Sequence, residues 1–192
     1  MKESRFYAYI SRMKHIFRWS LMKNSQNESL SVHTLDTAVI AHCLGLLRNR
    51  RFGGNCNVER LVMLAMYHDC SEILTGDMPT PVKYYNSNIK SAYDEMERNA
   101  VDSLVGLLPD DLKEDFYDIF DIKDEKLKKI VRAADKISAL IKCKDEIMLG
   151  NSEFSVAEKA TLKTIKELKL PAADEFLKEF LDSFSLPLDE QK

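Results

Sequence analysis

Leu61-Val62-Met63-Leu64-Ala65-Met66-Tyr67-His68-Asp69, continued by Cys70-Ser71-Glu72, reads as an apolar helix whose end carries an imidazole and two carboxylates. Burying such groups together is costly unless a metal or a partner compensates. The stretch therefore marks a candidate active site as well as a core helix. Outward from it the same pattern holds: apolar residues return at three and four positions, interior Gly and Pro are scarce, and alternating β-branched runs are lacking. The expected fold class is all-α.

With 192 residues, 45% of them hydrophobic, and only 6 Gly and 5 Pro, the chain suits one domain over 1–192 with a sizeable core. Charged residues make up 31%, but the signs nearly cancel to a net charge of -3, which leaves no basic footprint for a nucleic acid polymer. A small phosphorylated substrate needs only a local patch of charge. The segment Met1 to Trp19 mixes Lys2, Arg5, Arg12, Lys14 and Arg18 among its apolar residues, unlike a signal peptide. No apolar run is read as approaching the roughly 20 residues of a membrane span. No membrane partner and a cytoplasmic location are expected. Cys43, Cys56, Cys70 and Cys143 form no CxxC pair and read as free thiols, not as a zinc framework.

The first helix is expected over Glu3 to Phe17, with Phe6, Tyr9, Ile10, Met13 and Phe17 on one stripe. After a polar loop from Lys23 to Leu30, Ser31 can cap a second helix running towards Arg48. A third, Val58 to Ser71, follows the Gly53-Gly54-Asn55 turn. Gly76 and Pro79 break the pattern and Pro81 favours an extended Thr80, so Thr75 to Val82 is expected to be a stiff non-helical loop beside the doublet. Later helices are expected at Ser87 to Leu107, Asp111 to Phe120, Asp124 to Leu149, Glu153 to Leu168 and Pro171 to Phe184.

His68 and Asp69 can grip one ion, and imidazole with carboxylate suits a borderline divalent cation such as Mn, Fe, Co or Zn. The pair alone leaves the coordination incomplete. His33 lies near a loop mouth at the start of the second helix. His42, nine residues on, falls roughly 180° around that helix and cannot share a site with it. On the long helix Asp124 to Leu149, Leu127, Ile130, Val131, Ala134, Ile137, Ser138 and Ile141 mark the buried stripe. Asp135 sits on its flank and Asp145 nearer its centre; periodicity does not choose between them. If the third helix continues, Glu72 shares the face of His68.

The order His33, His68-Asp69 and Asp135 within Ala133-Ala134-Asp135-Lys136 resembles the HD-domain metal-dependent phosphohydrolases. The segments FRWSLM (Phe17 to Met22), YHDCSEILTGDMPTPVKYYN (Tyr67 to Asn86), RRFGGN (Arg50 to Asn55) and LDE (Leu188 to Glu190) carry a closer resemblance, spanning nearly the whole chain, to the YfbR-like 5′-deoxynucleotidases.

That resemblance implies an HD-domain helical bundle with a central metal site held by His33, His68, Asp69 and Asp135, and makes Glu72 the catalytic carboxylate. It implies that Arg18 orients the phosphate, that Trp19 stands against the sugar to favour 2′-deoxyribose, and that Asp77, Met78, Pro79 and Thr80 form the substrate-contacting loop. His33, Asp69 and Asp135 also adjoin the substrate on this reading. Val32 stands where relatives often carry Glu, and Cys70 replaces a small residue. The implied activity is metal-dependent hydrolysis of 2′-deoxyribonucleoside 5′-monophosphates, with Co2+, Mn2+ or a similar divalent cation and a homodimeric assembly. The rivals are another HD phosphohydrolase acting on deoxynucleoside triphosphates or a cyclic nucleotide, and a nucleotide-binding module without catalysis.

Overall fold

Helices account for the regular structure in a computed structural model that describes residues 3–191. Met1, Lys2 and Lys192, at the limits of the expected domain, lie outside the described residues. In chain order the α-helices are α1 Phe6–Ile10, α2 Leu30–Arg51, α3 Val58–Tyr67, α4 Glu72–Thr75, α5 Thr80–Lys83, α6 Ser87–Val105, α7 Lys113–Phe120, α8 Glu125–Met148, α9 Ser155–Glu167 and α10 Pro171–Phe180. Among the described residues the sole extended pairing is an isolated bridge between Phe17 and Ser29.

The long helices fall where periodicity puts them because their apolar stripes have somewhere to go. On α8, Ile130, Val131, Ala134, Ile137 and Ser138 are buried as expected, and Asp124 caps the helix through Oδ1 at 2.8 Å from the Lys126 N–H. One apolar cluster joins α2, α3, α8 and α10 through residues such as Leu44, Leu61, Ile137 and Phe176. A second gathers Phe6, Met13, Leu30, Cys70, Ile73 and Leu104 around α1, the start of α2 and α6. Leu61 is fully buried, so Leu61→Ala would cost about 2–5 kcal/mol.

Several boundaries differ from expectation. The first helix stops at Ile10, tightens into a 3-10 turn over Ser11–His15 and leaves Ile16 extended, so Phe17 sits exposed in the bridge with Ser29. Ser29, not Ser31, caps α2: its hydroxyl accepts from the Val32 N–H at 3.4 Å. The third helix ends at Tyr67, four residues early, and the doublet occupies a turn before α4. Thr80 is helical, not extended, because Pro81 falls in the first turn of α5, where a missing N–H breaks no intrahelical bond.

Contrary to the sequence reading, α2 is long and apolar enough by length and composition to cross a membrane. Of its most apolar window, 56% is buried inside the fold, where it serves as the core helix.

Candidate active site

His33 enters from the first turn of α2, His68 and Asp69 from the turn after α3, and Asp135 from the middle of α8. His33 is fully buried. Its Nε2 lies 3.3 Å from Asp135 Oδ1 and 3.5 Å from Asp69 Oδ2, while Nδ1 is 3.0 Å from the Ser138 hydroxyl. His68 Nδ1 donates to the Ala65 carbonyl at 2.7 Å. Its buried Nε2 makes no hydrogen bond, and Asp69 Oδ2 stands 3.1 Å away.

A divalent cation fits these residues. Atoms from His33, His68 and Asp135 all lie within 4.8 Å of one another. Neighbouring ligands about 2.1 Å from an ion are about 3–3.4 Å apart, which matches the spacing of the two imidazole nitrogens from the carboxylates. An ion there would give the orphaned His68 Nε2 a partner, and two nitrogens with two carboxylates form a borderline donor set. The three-residue group includes Asp135 and not Asp145, and Asp69, though not one of the three, adjoins it at 3.1 Å from His68 and 3.5 Å from His33.

The electrostatics of the cluster follow from its burial. Burial opposes a charge on His68, but the Asp69 carboxylate outweighs it and lifts the imidazole to about 9. Burial likewise opposes ionisation of Asp69, yet His68 brings it down to about 2. Asp135 is held well below the carboxylate range against its burial, chiefly by Lys136, whose Nζ is 3.0 Å from Oδ2. Glu72 behaves oppositely: burial, reinforced by Asp69 and Asp77, pushes it up to about 10. Its Oε2 is buried without a hydrogen bond. The helix break after Tyr67 places Glu72 at the first position of α4, so it reaches the site from a separate short helix.

Beside the cluster opens a cleft of about 380 Å³ lined by Arg18, Trp19, Asp77, Met78, Pro79 and Thr80. Gly76, at φ 73°, makes the left-handed turn that releases this loop from α4. Arg18 Nη2 lies 3.8 Å from Asp135 Oδ1, and its Nε is buried without a partner. Trp19 has φ 61°, a strained backbone for a bulky residue. Burial raises the Asp77 carboxyl, and Arg18 and the Trp19 backbone N–H offset part of that rise. Arg18, Trp19 and Asp77 to Thr80 thus line the cleft, while His33, His68, Asp69, Asp135 and Glu72 lie outside its lining, with Arg18 linking the two through Asp135.

Four contributors escaped the sequence reading: Glu28, Lys136, Ser138 and the wall supplied by α9 through Ala157, Ala160, Thr161 and Thr164. A signal for Glu28 existed, since a buried indole N–H and a buried guanidinium both require an acceptor.

A family model described as 5′-deoxynucleotidase YfbR-like matches residues 5–184. The chain belongs to the YfbR-like 5′-deoxynucleotidase family. Its relatives include a 5′-deoxynucleotidase of Vibrio vulnificus, 47% identical over 99% of both chains. Another is the 5′-deoxynucleotidase YfbR of Salmonella paratyphi B, 45% identical over 99% of this chain and 96% of that one. Among solved structures, an HD-domain phosphohydrolase from Listeria innocua superposes with a TM-score of 0.83 at 25% identity, covering 94% of this chain and 88% of its own. The cyanophage S-2L HD phosphohydrolase, solved with dA and one catalytic Zn2+ ion, shares the fold at a TM-score of 0.67, with 17% identity over 96% of this chain and 97% of that one. The family fold is therefore an all-α HD-domain bundle, as expected from the sequence.

Proposed function

We propose that this member of the family hydrolyses 2′-deoxyribonucleoside 5′-monophosphates to deoxynucleoside and phosphate. The observation that carries the reading is the convergence of His33, His68, Asp69 and Asp135 beside a cleft floored by Arg18 and walled by Trp19. A divalent cation held by those four residues would supply Lewis-acid polarisation of the phosphate and activation of water. Arg18 offers a planar fork to the phosphate oxygens, a geometry Lys does not reproduce. Glu72 holds a proton at a buried carboxyl and delivers it to the leaving 5′ oxygen. Trp19 presents a rigid face to the sugar, so that a 2′-hydroxyl meets the indole. The Asp77 to Thr80 loop closes the other side.

Co2+ or Mn2+ is the proposed ion class, with a homodimer and a cytoplasmic location as the rest of the proposal. A panel of ribo- and deoxyribonucleoside monophosphates assayed with several divalent metals tests it. Free phosphate released chiefly from the deoxy substrates is the expected result. Release of pyrophosphate or triphosphate from a deoxynucleoside triphosphate, with no turnover of monophosphates, would overturn it.

A further inference from the structure

Glu28 occupies a polar loop, yet its side chain is only 7% exposed. Oε2 accepts from the Trp19 indole at 2.8 Å and from Arg18 Nη1 at 3.2 Å. Oε1 lies 3.6 Å from His33 Nδ1, behind the nitrogen that faces Asp69 and Asp135. The Glu28 carbonyl also accepts from the Arg18 N–H at 2.9 Å, so backbone and side chain clamp the same dipeptide. One carboxylate therefore ties together the phosphate fork, the indole and the back of a metal-facing histidine.

We infer that Glu28 is a positioning residue which sets the orientation of Trp19 and Arg18, and through them the selection of deoxyribose and the grip on phosphate. This rests on the roles proposed above for those two residues. Trp19 can turn about its side-chain torsions, and its backbone sits at φ 61°. The indole hydrogen bond to Glu28 fixes the ring, while the carboxylate charge holds Nη1 and so sets where Nη2, 3.8 Å from Asp135, points. Hydrogen bonds of this charged kind are short and strong, and a neutral replacement keeps only part of them.

The test compares Glu28→Gln and Glu28→Ala with wild type and with Trp19→Ala and Arg18→Ala. A deoxynucleoside 5′-monophosphate and its ribo counterpart serve as substrates, with bound Zn2+ per chain measured alongside. Glu28→Ala should lower the deoxy-to-ribo ratio of kcat/KM by about 10-fold, the scale of one lost interaction that discriminates by shape. Glu28→Gln, whose amide oxygen still accepts from the indole, should keep most of the ratio while KM rises for both sugars. In a Trp19→Ala background, Glu28→Ala should leave the ratio unchanged, because the two act as a unit.

An unchanged ratio in Glu28→Ala, with kcat falling equally on both sugars, would overturn the inference. So would additive effects of Glu28→Ala and Trp19→Ala on the ratio. Should Glu28→Ala fail to fold, a ratio lost in Glu28→Gln as fully as in Trp19→Ala would count against the inference, and a retained ratio with raised KM would support it. If Trp19→Ala and Arg18→Ala are themselves silent, the underlying functional reading fails and not the clamp alone.

Discussion

His68 Nδ1 is committed to the Ala65 carbonyl at 2.7 Å, which points the ring's Nε2 at the carboxylates of the site. In the metal-free protein this imidazole holds a proton up to about 9, because Asp69 outweighs its burial. A cation must displace that proton. Metal affinity should therefore rise with pH between about 7 and 9, with proton release on binding. Calorimetry in buffers of different ionisation enthalpy measures the released proton, and a pH-independent affinity would contradict the assignment of His68.

The same shift predicts how the metal-free protein responds to pH. The folded value of His68 lies above its unfolded value of 6.5, so its stabilising contribution is full below 6.5 and is lost as pH climbs through about 9. Glu72 acts in the same direction: protonated in the fold up to about 10 but ionised above 4.5 when unfolded, it also favours the fold less as pH rises. Melting temperature without metal should fall from pH 6.5 to 9. Loading with Zn2+ should flatten that slope, because the ion replaces the His68 proton.

Glu72 and Asp69 should separate chemistry from metal retention. Glu72→Gln keeps the shape of a buried group that makes no hydrogen bond through Oε2, so bound metal should stay at wild-type content. Turnover should drop by about 10²–10⁴-fold, the usual worth of a positioned proton-transfer group. Asp69→Ala removes a carboxylate 3.1 Å from His68 and 3.5 Å from His33, and should lose metal and activity together. Parallel metal analysis and phosphate release decide the matter; wild-type rates in Glu72→Gln would remove it from the mechanism.

Glu146 should matter far from the reacting atoms. Fully buried on α8, it pairs with Lys142, accepts from the Ser25 and Gln26 N–H groups at 2.8 and 3.1 Å, and accepts from Asn151 at 2.8 Å. Burial opposes its ionisation, but these donors hold it well below the carboxylate range. Glu146→Ala strands the Lys142 charge and the loop N–H groups, at about 3–5 kcal/mol. Urea unfolding should show that loss, and any folded fraction should have a raised KM through the displaced Arg18 and Trp19.

Much of this was legible in the sequence. Helix α8 follows its apolar stripe, α2, α6 and α10 match the expected spans to within a few residues at their ends, and the doublet with His33 and Asp135 stands out through chemistry and family resemblance. What escaped were contacts that no period encodes. Nothing between Tyr67 and Ser71 is a Gly or Pro, so the break that separates His68 from Glu72 is imposed by packing and not by a local stop signal. Glu28 sits in the run Asn24-Ser25-Gln26-Asn27-Glu28-Ser29, where an acidic residue reads as solvated. Its burial depends on Trp19 and Arg18 folding back onto it. Glu146 looked equally ordinary, because the Ser25 and Gln26 N–H groups it accepts from come from a loop more than a hundred residues upstream.

Helix α8 carries Asp135 in the His-Asp cluster and Glu146 beneath the loop that follows Trp19, about three turns apart. A straight rod of fixed rise thus sets the spacing between the two tasks proposed above, gripping an ion and judging a sugar. Inserting or deleting one residue between those positions would rotate one end by about 100° against the other. The span between Asp135 and Glu146 should therefore tolerate changes of side chain but not of length, and ion and sugar preferences should drift together whenever that rod bends.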